Sequence, residues 1–74
     1  MNNPKIVLTA RELEVLNLLS QGCSSKEISQ KLFISPNTVE YHRKQLLRKT
    51  CAKNVAQLIG IAFRLKLLKA EDDD

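Results

Sequence analysis

The sequence predicts an all-α domain built from four short helices. Three observations lead to this fold class: helix start signals recur along the chain, apolar residues follow each signal at helical spacing, and no segment sustains the two-residue alternation of a strand. The 74 residues suffice for one small domain, which buries only about 60% of its unfolded surface. Since only three residues are aromatic, the core must consist mostly of Leu, Ile and Val.

The first two helices are each predicted to begin with a capping box. The predicted boxes pair Thr9 with Glu12 and Ser24 with Glu27. In such a box the hydroxyl accepts from a backbone N–H inside the helix, and the carboxylate accepts from the backbone N–H of the cap. Leucines follow the first box at helical spacing until Gln21-Gly22. The second helix is short and is expected to stop near Phe33.

The third helix is predicted to start at Ser35 and to run to about Thr50. Ser35 can cap it, and Pro36 suits its first position because the missing N–H is not needed there. At about 100° per residue the side chains divide between two faces. One face carries Val39, His42, Leu46 and Thr50, and the opposite face carries Asn37, Tyr41, Lys44 and Arg48, with Glu40 and Gln45 beside it. The helix therefore buries one side and offers a polar, basic side.

The fourth helix is predicted to be capped by Asn54, with Gln57 at its third position, and to continue to about Leu67. It carries two apolar stripes, Ala56-Ile59-Phe63 and Leu58-Ile61-Leu65, with Ala62 between them. A domain this small cannot easily cover both stripes, so Leu58, Ile61, Ala62 and Leu65 are predicted to form a homodimer contact. In the alternative, the first helix and the chain ends cover that stripe.

The connection between the second and third helices is only about three residues long, Phe33-Ile34-Ser35. Ile34 can fill the corner between the helices, and the small side chain of Ser29 lets the third helix approach closely. A short joint followed by a two-faced helix is typical of a helix-turn-helix motif, whose second helix enters a DNA major groove.

Charge is distributed unevenly along the chain. The net charge is +4, but four of the eight acidic residues lie at positions 71–74. Twelve Lys and Arg residues against four acidic ones therefore give residues 1–70 a charge of +8. A basic body indicates a nucleic-acid partner. Composition alone is equally compatible with an ordinary solvated basic surface.

Several classes of function find no support in the sequence. It contains no glycine-rich phosphate loop, no Cys or His ligand spacing and a single histidine, so we expect no enzyme, no metal and no cofactor. Cys23 and Cys51 are predicted to be reduced and at least half-buried. Without a signal sequence or an apolar run of about 20 residues, a cytoplasmic protein is expected. Residues 1–7 are predicted to be flexible, 8–68 to form the domain and 69–74 to form an acidic tail.

Four segments of the sequence together form a recognisable pattern: Leu8 to Leu16 (LTARELEVL), Ser25 to Ser29 (SKEIS), Ile34 to His42 (ISPNTVEYH), and Lys53-Asn54 with Ala56-Gln57-Leu58. In these segments the sequence resembles the LuxR/FixJ-type (GerE-like) DNA-binding domain of bacterial transcription regulators. The resemblance implies four helices, the third reading DNA and the fourth serving as the dimer surface. It also implies sequence-specific binding of double-stranded DNA in transcription regulation, and RNA polymerase is a further candidate partner.

Three positions depart from the pattern of this family. Thr50-Cys51-Ala52 stands where a Leu-Gly-Val run is usual, so we expect the third helix to end differently or its end to be less stable. Val55 replaces a basic residue, which removes one candidate phosphate contact. Glu40 replaces a frequent Lys at the first outward position of the reading helix.

The predicted DNA contacts fall into two sets. Base edges are assigned to Asn37, Glu40, Tyr41 and Lys44, because the amino-terminal half of a reading helix enters the groove most deeply. For Glu40 an ion pair with Lys44 is an equally weighted alternative, and for Tyr41 the alternative is a ring packed on its own helix. Phosphates are assigned to Lys26, Thr38, Arg43, Arg48, Lys49 and Lys53.

His42 is expected to be a core histidine hydrogen-bonded to the backbone. Two further functions compete with DNA-binding regulation. One is a polymerase-docking module like the terminal region of sigma factors, which the additional helix after Lys53-Asn54 disfavours. The other is a small helical adaptor that binds a protein through the fourth helix.

Overall fold

The computed structural model describes residues 6–68, which form four helices and no strand. They are α1 (Ala10–Ser20), α2 (Ser25–Leu32), α3 (Pro36–Thr50) and α4 (Val55–Arg64). The predicted all-α class is confirmed. The predicted acidic tail and most of the predicted flexible segment lie outside the described residues. Among the helices between Ile6 and Leu68, none combines the length and apolarity needed to cross a membrane.

Each helix begins with the predicted capping residue. The Thr9 hydroxyl accepts from the Glu12 N–H at 3.0 Å, and the Glu12 carboxylate accepts from the Thr9 N–H at 2.9 Å. Ser24 and Glu27 form the same reciprocal pair at 3.1 and 2.8 Å. Ser35 caps α3 and Asn54 caps α4. Local side-chain chemistry therefore fixes where all four helices start.

All four helices end with the same backbone device. A residue with positive φ follows the helix, and the next N–H donates to a carbonyl five residues earlier, as in a Schellman motif. The donor–acceptor pairs are Cys23 to Leu18, Ile34 to Ser29, Ala52 to Leu47 and Leu67 to Ala62, at 2.8–3.1 Å. Each of these four donor residues also packs against the core. The side chain after each turn thus anchors the helix end.

Two predicted helix ends need correction or refinement. α4 stops at Arg64, not near Leu67, because Lys66 takes φ 60° and the chain turns back so that Leu67 meets the core. α3 ends where predicted, although Cys51 occupies the usual glycine position with φ 59°. Of the two expectations for this joint, an altered helix end is excluded.

The core is aliphatic, and α3 contacts each of the other three helices. Its buried members are Val15, Leu16, Leu19, Ile28, Val39, Leu46, Leu58 and Ala62. Ser29 is buried beside α3, and Ile34 packs against the core, as predicted for the helix-turn-helix corner. Ile6, within the segment predicted to be flexible, is half-buried. The buried face of α3 therefore packs against the other three helices.

Candidate nucleic-acid interface

The outer face of α3 is a row of exposed polar side chains. Asn37, Lys44 and Arg48 are exposed, and Tyr41 exposes 60% of its surface. On the opposite side Val39, Leu46 and Thr50 are buried. The two faces lie where the helical period predicts them. Because the buried face packs against the core, the exposed face can enter a DNA major groove while the domain stays folded.

Glu40 lies at the edge of this face and is not a free acceptor. Its Oε1 accepts from Arg43 Nε at 2.9 Å and Nη2 at 2.8 Å, and its Oε2 accepts from the Ser25 hydroxyl of α2. The hydrogen bond from Ser25, followed by the bond and charge of Arg43, lowers the pKa of the Glu40 carboxyl. The alternative pair with Lys44 does not form, since Arg43 takes its place.

The six predicted phosphate contacts are not equally available. Lys26, Arg48 and Lys53 are exposed, whereas Thr38 and Arg43 are half-buried. Arg48 Nε donates to the side-chain oxygen of Gln45 at 3.2 Å. The Thr38 hydroxyl lies 3.0 Å from the hydroxyl of Ser35. These five groups remain on the surface around α3.

Lys49 is placed differently from its prediction. Its Nζ donates to Glu12 Oε1 at 2.8 Å and to the Val7 carbonyl at 3.1 Å, so it connects α3 to α1 and to the segment before α1. The Glu12 side chain is only 6% exposed. Two of the three ammonium N–H groups donate to these acceptors, and the pair with a buried carboxylate fixes where the ammonium lies. Lys49 therefore has a structural role in this fold, and its assignment to phosphate stays a prediction.

Opposing influences set the pKa of Glu12. Burial is the largest and raises it, but hydrogen bonds from Lys49 and Thr9, together with the Lys49 charge, bring the pKa below the ordinary value of 4.5. The carboxylate is thus charged at neutral pH. The sequence signal for this pair was available, because Lys49 comes seven residues after His42 and so lies about 20° from it on the inner side of the helix.

His42 also differs from its prediction. It is half-buried on the inner side of α3, and its ring centroid lies 5.5 Å from that of Tyr41 in an edge-on arrangement. Its Nδ1 is buried and lacks a hydrogen-bond partner among the described residues. The expected bond to the backbone is therefore absent at this nitrogen. The Tyr41 ring packs partly on its own helix while keeping most of its surface exposed.

The apolar surface of α4 differs in part from the predicted one. Leu58 and Ala62 are fully buried in the core, Ile61 is half-buried, and Leu65 is 52% exposed. The exposed stripe is instead Ala56-Ile59-Phe63, in which Phe63 exposes 75% of its surface and Ile59 is half-buried. The structure therefore places two of the four predicted dimer residues in the core, while Ile61 and Leu65 keep accessible surface. Leu58 and Ala62 cannot be the main dimer contact.

The remaining reactive groups do not form a second site. Cys23 is half-buried, as predicted, but Cys51 is exposed, and both are free thiols. Within residues 6–68 no group of three or more His, Cys, Asp or Glu side chains could hold a metal ion. The described part of the chain therefore concentrates its polar chemistry around α3.

Comparison with known proteins agrees with this geometry. Residues 6–62 match the family described as "Bacterial regulatory proteins, luxR family". The chain belongs to this family. The predicted LuxR-type resemblance and helix-turn-helix fold are confirmed. The proteins that share this domain are DNA-binding transcription regulators and not enzymes.

Both the relatives and the solved structures extend over most of the chain. The oxygen regulatory protein NreC of Staphylococcus carnosus (strain TM300) is 42% identical over 67 residues, which are 90% of this chain but 31% of NreC. The transcription factor GerE is 37% identical with a TM-score of 0.79, covering 84% of this chain and 92% of GerE. Vibrio cholerae VqmA, solved as a dimer, is 38% identical with a TM-score of 0.82, covering 85% of this chain and 28% of VqmA. The chain thus spans less than a third of the length of NreC.

Proposed function

We propose that this luxR-family domain binds a specific double-stranded DNA site as a homodimer and places α3 in the major groove. The observation that carries the proposal is the division of α3 into a buried back and an exposed front. The major groove, about 12 Å wide, admits an α-helix. The net charge of +8 over residues 1–70 favours association with the phosphate backbone.

Asn37, Tyr41 and Lys44 are the proposed base-reading residues. All three are exposed in the amino-terminal two-thirds of α3. An Asn side chain can bond adenine N6 and N7, a Lys ammonium can donate to guanine O6 and N7, and an aromatic edge can contact a thymine methyl. Glu40 is left out of this set because both of its oxygens are occupied.

Phosphate contacts are proposed for Lys26, Thr38, Arg43, Arg48 and Lys53. They lie on α2, on α3 and before α4, and each keeps accessible surface. Each neutralised phosphate should contribute roughly −0.9 to the slope of log affinity against log salt. Lys49 is omitted because its ammonium holds Glu12.

The proposed dimer forms through the exposed stripe of α4, Ala56-Ile59-Phe63. Phe63 and Ile59 supply apolar area, and the small residues Ala56 and Gly60 allow a second helix to approach closely. A twofold dimer would present two α3 helices to half-sites about one helical turn apart. The solved VqmA dimer, a structural neighbour, supports such an assembly here.

We propose that the domain acts in the cytoplasm, because a regulator of transcription must reach the bacterial DNA there. Contact with RNA polymerase stays a prediction. Its test is copurification of the domain with core polymerase in the absence of DNA.

Two substitutions on α3 separate base reading from phosphate binding. Lys44→Ala should relax the preference at one base position and weaken the preferred duplex by about 1–3 kcal/mol, because a donor to a base edge is lost. Arg48→Ala should weaken all duplexes alike and reduce the salt slope by about 0.9. Duplex selection and fluorescence anisotropy titrations at several salt concentrations measure both effects.

Lys66→Ala is the matched control, since it removes an exposed cation outside the proposed contacts. It should leave base preference unchanged. Failure of the unaltered domain to bind random duplex DNA at low salt would refute the proposed function.

A further inference from the structure

Ser25, Glu40 and Arg43 form a hydrogen-bonded network between α2 and α3. Ser25 is the first residue of α2, and its hydroxyl donates to Glu40 Oε2. One turn along α3, Arg43 donates to Glu40 Oε1 through Nε at 2.9 Å and through Nη2 at 2.8 Å. The Arg43 and Glu40 side chains are 31% and 38% exposed, so the network lies at the surface beside the reading face.

This arrangement makes Glu40 a poor reader of cytosine. Both oxygens already accept from strong donors, and only about one of the four acceptor sites of the carboxylate is left for a base. An unpaired carboxylate would also be repelled by DNA phosphates. Paired with Arg43, however, Glu40 adds no net charge to the interface.

Arg43 keeps donors for a second partner. A guanidinium carries five N–H groups in a rigid fork, and Glu40 uses the Nε–H and one Nη2 N–H. The Nη1 group and the other Nη2 N–H remain available. Ordering a long side chain at an interface costs conformational entropy, about 0.5–1.5 kcal/mol for each one immobilised, which a side chain ordered before binding avoids.

We propose that Ser25 and Glu40 are positioning residues that hold the Arg43 guanidinium ready for a DNA phosphate. The inference rests on the proposed DNA-binding function and assigns to Glu40 a role other than base reading. It also gives a reason for an acid at the position where the family often has Lys. Ser25 has no place among the predicted contacts and acts only through the other two residues.

Ser25→Ala tests the network without changing charge or removing the α2 cap, which is Ser24. It should weaken the binding of preferred and random duplexes by the same factor, about threefold to tenfold, with base preference unchanged. Ser25→Thr retains the hydroxyl and should restore affinity. Ser20→Ala, which loses an exposed hydroxyl bonded to Asn17 at 2.7 Å, is the matched control and should bind like the parent.

A double-mutant cycle identifies the route of the effect. In an Arg43→Ala background, Ser25→Ala should cause no further loss of affinity. In the free domain, the NMR signal of the Arg43 Nε–H should be sharp in the parent and broadened by exchange in Ser25→Ala. Equal losses in both backgrounds, or parental affinity in Ser25→Ala, would overturn the inference. So would the loss of one base preference in Glu40→Ala. If the parent binds no duplex, it is the proposed function that fails.

Discussion

Three residues with side chains hold left-handed backbone directly after a helix. Phe33, Cys51 and Lys66 have φ of 58–60°. At the corresponding position after α1 stands Gly22, the residue type that adopts positive φ without strain. Left-handed helical backbone costs an L-residue roughly 1–2 kcal/mol. The residues that follow them, Ile34, Ala52 and Leu67, pack on the core and offset this cost.

At Cys51 the strain should be measurable. Cys51→Gly is expected to raise the free energy of unfolding by about 0.5–1 kcal/mol, because glycine accepts φ 59° and the exposed thiol contributes no packing. Urea denaturation followed by circular dichroism measures the change. Gly22→Ala is the reverse experiment: no atom lies within 4 Å of an added Cβ, so backbone strain alone should lower stability. A destabilised Cys51→Gly would contradict this reasoning.

At this scale the sequence predicted the helix starts better than the helix ends. Caps such as Thr9 and Asn54 act on backbone groups three residues away, so local sequence suffices to find them. The left-handed turn at Phe33 depends on Ile34 reaching the core, which is a tertiary effect. The exposure of Cys51 and the unpartnered Nδ1 of His42 likewise depend on the neighbouring helices.

At the scale of elements, an ion pair joins α1 to α3. Glu12 serves both as the acid of the α1 capping box and as the partner of Lys49. Its pKa is lowered in the folded domain, so its contribution to stability is present above the ordinary value of 4.5 and is lost as the pH falls through the folded value. Glu40, whose pKa is also lowered, contributes with the same sign.

Glu12→Gln should therefore destabilise the domain by about 1–3 kcal/mol at neutral pH, because it removes the charged partner of Lys49. It should also flatten the decline in stability below about pH 4.5, which thermal unfolding across pH 3–7 would show. Glu14→Gln is the control, since its pair with Arg11 is largely exposed at 3.1 Å and should matter by less than about 0.5 kcal/mol. Equal effects of the two substitutions would contradict the structural role of Glu12.

The two faces of α4 show where helical periodicity stops being informative. Periodicity located both apolar stripes, but it cannot say which stripe meets the core when both are apolar. In the structure Leu58 and Ala62 are buried, and Leu67 and Leu68 pack against the same core cluster. Ser25 was missed for a related reason, since its partner lies fifteen residues away on another helix.

At the scale of the whole molecule, substitutions on the two faces of α4 should distinguish folding of the domain from its association into a dimer. Phe63→Ser should weaken the proposed dimer while leaving the unfolding midpoint nearly unchanged at concentrations where the domain is monomeric, because Phe63 is 75% exposed. Leu58→Ala should instead destabilise the fold by about 2–5 kcal/mol, because Leu58 is fully buried. Sedimentation equilibrium and thermal unfolding distinguish the two. An unchanged association constant in Phe63→Ser would move the dimer interface elsewhere.

The Lys49 ammonium, which lies on α3, donates a hydrogen bond to the Val7 carbonyl. The carboxyl-terminal part of α3 therefore contacts the segment before α1 directly, as well as α1 itself through Glu12. One lysine side chain thus links the backbone at Val7 to the proposed reading helix, and a change in that backbone would alter a contact of α3.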